Sequence, residues 1–273
     1  MISETQSADG TSLVYRRTGP ADGRPLVLLH GWSADLRCWS PVAAELARRY
    51  RVIAVDLRGH GYSDAPLDGY DDSRRWAADV AAVLAAEQVT AGAVLLGWSY
   101  GGLVLTDYVS VYGTGALAGI GYVGAITGVG RAVPGGQAGA AMQHAIPGVF
   151  EERPGRAVRA FAGFGDASTG SGPDNGTYAQ ALFGASLATP PRVRKALFYR
   201  TVDHDPTLRA LDVPALIVHG LADPVVDIAA ARHNAELIPD VRTSYWADTK
   251  HAPFVHDPAR FVAELHAFVD SLG

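Results

Sequence analysis

Ser99 stands in the run Gly97-Trp98-Ser99-Tyr100-Gly101-Gly102, directly after the apolar segment 93–96 and at the start of a stretch with helical spacing, 100–112. A serine in G-x-S-x-G on a strand-to-helix turn is a candidate nucleophile. So tight a turn strains the backbone of its central residue, and side chains at 97 and 101 would collide with their neighbours. The same glycines would also suit a turn that merely lets a helix pack close to a strand. On the nucleophile interpretation the hydroxyl projects at the carboxyl end of a sheet. The amide of Tyr100 then lies at the positive end of the next helix, placed to hold an oxyanion. The chemistry this predicts is attack on an acyl carbon. A serine hydroxyl is a weak nucleophile near neutral pH, so it needs a neutral imidazole to take its proton and a carboxylate to fix that imidazole's tautomer. The chain offers nine histidines and 28 acidic residues, and choosing among them depends on the elements that carry them.

Apolar, β-branched runs bounded by turn residues occur at 13–15, 25–29, 51–55 and 93–96, and read as strands. Ala-rich segments with helical spacing lie at 38–49, 73–87 and 100–112. This alternation predicts an α/β fold, with a doubly wound, mostly parallel sheet. It resumes late, with strands at 215–219 and 243–246 and helices at 228–238 and 258–272. Between about 124 and 206 it breaks down into short helical candidates at 155–162, 178–187 and 191–201. The glycine-rich stretch 163–176 reads as a mobile loop and a candidate gate. The expected organisation is a core of residues 1–123 and 207–273 with a mainly helical cap, 124–206, inserted over one edge of the sheet.

Composition narrows the function classes. Hydrophobic residues make up 48% of the 273 and charged residues 19%, enough apolar surface for a sizeable core, which excludes global disorder. Lys and Arg number 23 against 28 Asp and Glu, a net charge of −5, and no run of five basic residues occurs. A nucleic-acid partner is therefore not expected. Cys38 is the single cysteine, so neither an internal disulfide nor a cysteine-based metal cluster can form. Residues 1–10 lack a basic segment followed by an apolar one, and the expected location is cytoplasmic. Residues 108–130 carry no charge and are long enough to cross a bilayer. Seven of them are Gly, and Ser110, Thr114 and Thr127 add polar groups. A helix end, a turn and a buried strand fit that composition, and no membrane association is expected.

Several further motifs accompany Ser99 in a consistent chain order. His30-Gly31-Trp32 follows the strand 25–29. Asp56-Leu57-Arg58-Gly59-His60-Gly61-Tyr62-Ser63-Asp64 follows the strand 51–55. His219-Gly220-Leu221-Ala222-Asp223 closes the strand 215–219, and Lys250-His251-Ala252-Pro253 precedes the last helix. With G-x-S-x-G, these motifs make the chain similar to the α/β-hydrolase superfamily over nearly its whole length outside 124–206. HGW followed by GWSYGG resembles its cofactor-free esterase and haloperoxidase-perhydrolase branch. The resemblance implies a catalytic triad of Ser99, Asp223 and His251, with the backbone N–H groups of Trp32 and Tyr100 as oxyanion hole. Thr249-Lys250 stands where the family commonly has a glycine before its histidine.

Rivals exist for each role. His256 lies five residues beyond His251, near the start of the last helix, where a structural role is favoured. Asp227 competes with Asp223 but reads as a helix cap. Asp56 is expected to stabilise a turn, His30 to support the oxyanion loop, and Cys38 to be a small buried hydrophobe. No partner stands out for His60 or His204, although His204 is a candidate for the pocket wall. Trp32, Trp98, Tyr100, Phe150, Phe161 and Phe164 are expected to line an apolar pocket, to which Phe183 and Phe198 add apolar surface. No metal and no cofactor are implied, and the partners are a small or medium apolar acyl substrate and water. The resemblance implies a carboxylic-ester hydrolase, with perhydrolysis as a side activity. Lactone, thioester and carbon–carbon bond hydrolases share such a triad, and a ligand receptor or non-hydrolytic lyase on the same fold stays open.

Overall fold

Three of the central strands are near-continuous apolar runs, PLVLL in β3 (Pro25–Leu29), RVIAV in β4 (Arg51–Val55) and AVLLGW in β5 (Ala93–Trp98). Strands of that composition belong in a sheet covered on both faces. In a computed structural model describing residues 1–169 and 176–273, they form the middle of an eight-stranded sheet. Two strands precede them, β1 (Ile2–Gln6) and β2 (Ser12–Thr18). After β5 come β6 (Leu117–Val123) and a two-residue strand, β7 (Gly128–Val129). The two-residue β8 (Val202–Asp203) precedes β9 (Ala215–Gly220) and β10 (Val241–Trp246). The large sheet has the order β1-β2-β4-β3-β5-β6-β9-β10. Only β1 and β2 are antiparallel to their neighbours, and every other pairing is parallel.

Helices α1 (Ser40–Leu46), α2 (Ser73–Ala86) and α3 (Tyr100–Tyr112) fill the first crossovers. Residues 124–206 carry α4 (Ala140–Val149), α5 (Pro154–Thr169), α6 (Gly176–Ala188) and α7 (Pro191–Tyr199). The chain finishes through α8 (Asp205–Arg209), α9 (Ile228–Leu237), α10 (Pro253–His256) and α11 (Pro258–Asp270). Alternation along β3 divides the core in two. Val27 and Leu29 join one buried cluster with α2 and α3, whereas Leu26 and Leu28 join the other with α1 and α11. The fold is therefore a doubly wound α/β sheet. The chain winds outward in both directions from the β3–β5 pair, so a crevice opens beyond the carboxyl ends of these two strands.

Residues 124–206 are closed near both ends by one clip, β7 paired antiparallel to β8. A second tie is the bridge between Ala138 and Val226.

Several elements differ from expectation. The helix expected at 38–49 is a 3-10 turn, Leu36–Trp39, followed by α1, because Pro41 lacks an N–H and fits only the first helical turn. Strand β1 carries no burial signal, with every residue exposed or half-buried, as suits a sheet edge. The expected loop 163–176 is corrected in part. Residues Gly163 to Thr169 belong to α5, where the Ser168 and Thr169 hydroxyls donate to the Phe164 and Gly165 carbonyls, Gly176 opens α6, and 170–175 lie outside the described residues. No described helix is long and apolar enough to cross a membrane. Instead, 108–130 contains the end of α3, a turn and β6, as its composition suggested.

Candidate active site

Ser99 caps the amino end of α3 with φ 55° and ψ −118°, a conformation that L-residues seldom adopt and that costs roughly 1–3 kcal/mol. Its main chain is held on both sides. The N–H donates to Val123 O at 2.9 Å, and the carbonyl accepts from Gly102 N at 3.1 Å and Ile126 N at 3.2 Å. Glycine is required at the flanks because a Cβ on Gly97 would lie 2.5 Å from the Gly101 carbonyl carbon, and one on Gly101 would collide with Leu29 O. The strand, the turn and the helix are thus packed main chain against main chain, and Ser99 sits 8% exposed at the apex.

His251 and Asp223 come from the loops after β10 and β9. His251 Nδ1 lies 2.8 Å from Asp223 Oδ2, with both side chains buried. Asp223 is fixed in turn, since its Oδ1 accepts from the Val225 and Val226 N–H groups at 2.8 and 3.0 Å. A carboxylate accepts, so the proton of this pair belongs on Nδ1 and leaves Nε2 with a free lone pair. Trp98 Nε1 donates to the His251 carbonyl at 2.9 Å and sets the height of the histidine loop. Beneath the pair, His219 donates from Nε2 to Val226 O at 3.0 Å and lies 3.3 Å from Asp223 Oδ2. Burial pulls its pKa below the usual histidine range.

The loop after β3 lies against Ser99 so closely that a Cβ on Gly31 would be 3.0 Å from Ser99 Cβ. Buried polar groups fix its course. His30 donates from Nδ1 to Gly31 O at 2.8 Å and accepts at Nε2 from Leu57 N at 3.0 Å. His60 accepts at Nε2 from Ser33 N at 3.3 Å and donates from Nδ1 to Arg58 O at 3.0 Å. Asp56 accepts from Leu36 N at 2.7 Å and from Tyr62 N at 3.0 Å. Both imidazoles therefore work as neutral cross-links between the loops after β3 and β4. Burial lowers their pKa values, that of His60 to about 3. Neither the Trp32 nor the Tyr100 backbone N–H has an acceptor among the described residues.

Two cavities meet at Ser99. The larger, about 380 Å³, is walled by Trp32, Tyr100, Ile126, Met142, Ile146, Leu197, Phe198 and Val225, with Arg131, Tyr199 and Thr201 also on its lining. The smaller, about 20 Å³, is bounded by Gly31, Trp98, His251, Phe164, Leu182 and Ser186. Trp32, Ser99, Met142 and Val225 belong to both walls. Of the aromatic residues expected on the pocket wall, Trp32 and Tyr100 line the larger cavity, and Trp98 and Phe164 the smaller. Phe150 and Phe161 line neither, because their rings pack on Trp32, at centroid distances of 6.3 and 5.8 Å. Phe198, assigned only general apolar surface from sequence, lines the larger cavity.

The rival residues have other partners. Asp227 caps α9 by accepting from Ala229 N at 2.9 Å, and His256 is exposed at the end of α10. Cys38 is buried, which pushes its thiol pKa up. His204 does not reach a cavity wall; its Nε2 lies 2.8 Å from Asp107 Oδ1.

A buried ion pair behind the pocket has no motif to announce it. Arg200, on the larger cavity's lining, meets Asp107 of α3 at 2.8 Å, both side chains fully buried, and its Nη1 donates to Tyr100 Oη at 3.3 Å. Burial raises the Tyr100 phenol pKa to about 12. The only sequence signal was Asp107 itself, a charge in the middle of the apolar run LVLTDYV.

Residues 26–264 match the sequence profile of a family described as the Alpha/beta hydrolase family. The chain is 33% identical to a non-heme chloroperoxidase of Streptomyces lividans, over 97% of this chain and 98% of that one. It is 29% identical to a pimeloyl-[acyl-carrier protein] methyl ester esterase of Aliivibrio salmonicida, over 95% and 96%. Among solved structures, the esterase RhEst1 of Rhodococcus sp. ECU1013 superposes with a TM-score of 0.98 at 59% identity, covering 100% of this chain and 99% of that one. With this sheet order, this strained serine turn and these matches, the chain belongs to the alpha/beta hydrolase family.

Proposed function

We propose that the protein is a serine hydrolase that cleaves a carboxylic ester of a small to medium apolar substrate through an acyl-enzyme on Ser99. The observation that carries this is that His251, bonded to the buried Asp223, lines the same small cavity as a serine held in a strained turn. His251 Nε2 takes the Ser99 proton as Oγ bonds to the acyl carbon, and the carbonyl electrons move onto oxygen. The Trp32 and Tyr100 N–H groups, free of acceptors among the described residues, hold that oxyanion. When the carbonyl re-forms, the bond to the alcohol oxygen breaks and His251 delivers its proton to the departing alkoxide. Water then adds to the acyl-enzyme with His251 as base. The acyl–Oγ bond breaks, the proton returns to Ser99, and the carboxylic acid leaves. Asp223 fixes the imidazole tautomer throughout and balances its charge.

The cap of residues 124–206 supplies most of the apolar wall and suits a small substrate rather than a polymer. The test is hydrolysis of ethyl butanoate followed by acid release. Wild type should turn over repeatedly, and Ser99→Ala should lose at least about 10³-fold in kcat. Equal rates in the two proteins would refute the proposal. Similarity to a chloroperoxidase favours one second activity, in which hydrogen peroxide replaces water at the acyl-enzyme and a peracid leaves. Peroxide-dependent bromide oxidation that needs both an added ester and Ser99 would reveal it.

A further inference from the structure

The two cavities differ nearly twentyfold in volume, and only the smaller is bounded by His251. That asymmetry has a chemical meaning once the ester reading above is adopted, because the proton given to the alkoxide comes from His251. The alcohol half of the ester must therefore lie on the His251 side of Ser99 when its bond breaks, and the acyl half on the other. The wall on the His251 side is closed by Gly31, Trp98, Phe164, Leu182 and Ser186, and Ser186 is pinned by donating to Ser33 O at 2.9 Å. Its volume of about 20 Å³ holds little more than a single water-sized group. The opposite cavity, at about 380 Å³, accommodates a branched or cyclic hydrocarbon against Ile126, Ile146, Leu197 and Phe198.

We infer that the preferred substrates are esters of bulky apolar acids with alcohols of one or two carbons, the acid seated in the larger cavity and the alcohol in the pocket beside His251. The same small pocket serves the second half of the reaction. The vacated alcohol site is water-sized and touches His251, so the water that attacks the acyl-enzyme occupies the place where its proton can be removed.

Two isomers of one formula test the assignment without changing the protein. Methyl cyclohexanecarboxylate carries its ring on the acid, and cyclohexyl acetate carries it on the alcohol. Neither has an activated leaving group that could depart without protonation. The expected result is a kcat/KM at least about 100-fold higher for the methyl ester, as steric exclusion from a closed pocket produces. A ratio near one, or a preference for cyclohexyl acetate, overturns the assignment while leaving Ser99 chemistry intact, provided that Ser99→Ala abolishes both activities. Failure to cleave either isomer while ethyl butanoate is turned over also overturns it, because the larger cavity would then not admit a ring. Ser99→Ala cleaving either isomer as fast as wild type removes the ester reading itself.

Leu182→Ala, which enlarges the small pocket, should raise kcat/KM for butyl relative to methyl cyclohexanecarboxylate by about tenfold. Phe164→Leu gives the same comparison if the first variant does not fold. An unchanged ratio in a folded variant counts against the assignment.

Discussion

Around Ser99, the sheet side of the site is held by main-chain contacts, whereas helices α6 and α7, with Arg200 directly after them, are held over it through side chains. On the sheet side, Gly97 and Gly101 pack directly against neighbouring main chain, and Asp223 is fixed by two backbone N–H groups. For α6 and α7 the ties to the core are a few long-range polar contacts set in apolar packing. Trp32 Nε1 donates to Arg194 O at 3.0 Å, Ser186 Oγ to Ser33 O, and Arg200 pairs with Asp107. The main-chain side tolerates almost no change of residue. The side-chain side can change volume while Ser99, His251 and Asp223 stay where they are, and on the proposed function the substrate would change with it. Mutations on the sheet side should therefore affect rate as well as stability, whereas those under α6 and α7 should affect stability or selectivity.

The largest expected effect lies on the sheet side. Asp223→Asn keeps an acceptor for the Val225 and Val226 N–H groups but no longer fixes the His251 tautomer. Steady-state kinetics should show kcat down by about 10⁴-fold, roughly 5 kcal/mol of barrier, with little change in KM or melting temperature. Less than a tenfold loss would place the base elsewhere. Next comes the buried ion pair that ties the end of α7 to α3. Arg200→Met leaves Asp107 buried without its cation and should cost about 3–5 kcal/mol in urea unfolding. Arg200→Met combined with Asp107→Leu should recover most of that loss. If the double variant is as unstable as the single, an uncompensated charge is not the cause.

How much of this was legible beforehand divides along the same line. Ser99 could be nominated because the backbone of a tight turn permits few residue types at few positions, and Asp223 and His251 because the segments carrying them resemble those of the alpha/beta hydrolase family. Strand β1 and helix α4 gave no such signal. An exposed edge strand has little apolar alternation, and α4 contains Pro147 within AAMQHAIPGV. Phe150 and Phe161 were expected at the pocket because they are aromatic residues in the insertion, but aromatic type does not say which side of Trp32 a ring will occupy. The Arg200–Asp107 pair spans 93 residues and obeys no local spacing. The partners of His60 were hidden for the same reason: the turn containing it meets the loop after β3 only in the folded sheet.

Two smaller effects sharpen the contrast. Gly101→Ala adds one methyl group against Leu29 O and should destabilise by about 1–3 kcal/mol in denaturant titration, whereas Gly163→Ala, which meets nothing within 4 Å, should not. The buried histidines make the sheet side sensitive to acid. His60 stays neutral in the folded state down to about pH 3, while the unfolded chain takes up a proton near pH 6.5. A lowered folded-state pKa gives stability that is present above the unfolded value and lost as pH falls. His60 should therefore contribute a loss of up to about 1.4 kcal/mol per pH unit between pH 6.5 and 3, and His60→Gln should flatten the slope. An unaltered slope in that variant would mean that His60 is not held neutral by burial.

The most direct test of the central claim is mass spectrometry of the protein after treatment with diisopropyl fluorophosphate, whose fluoride leaving group makes no demand on the alcohol pocket. One adduct per chain on the peptide containing Ser99, forming in step with loss of ester hydrolysis and slowed in Asp223→Asn, is the predicted result. An adduct on another residue, or full hydrolytic activity with Ser99 modified, would contradict it.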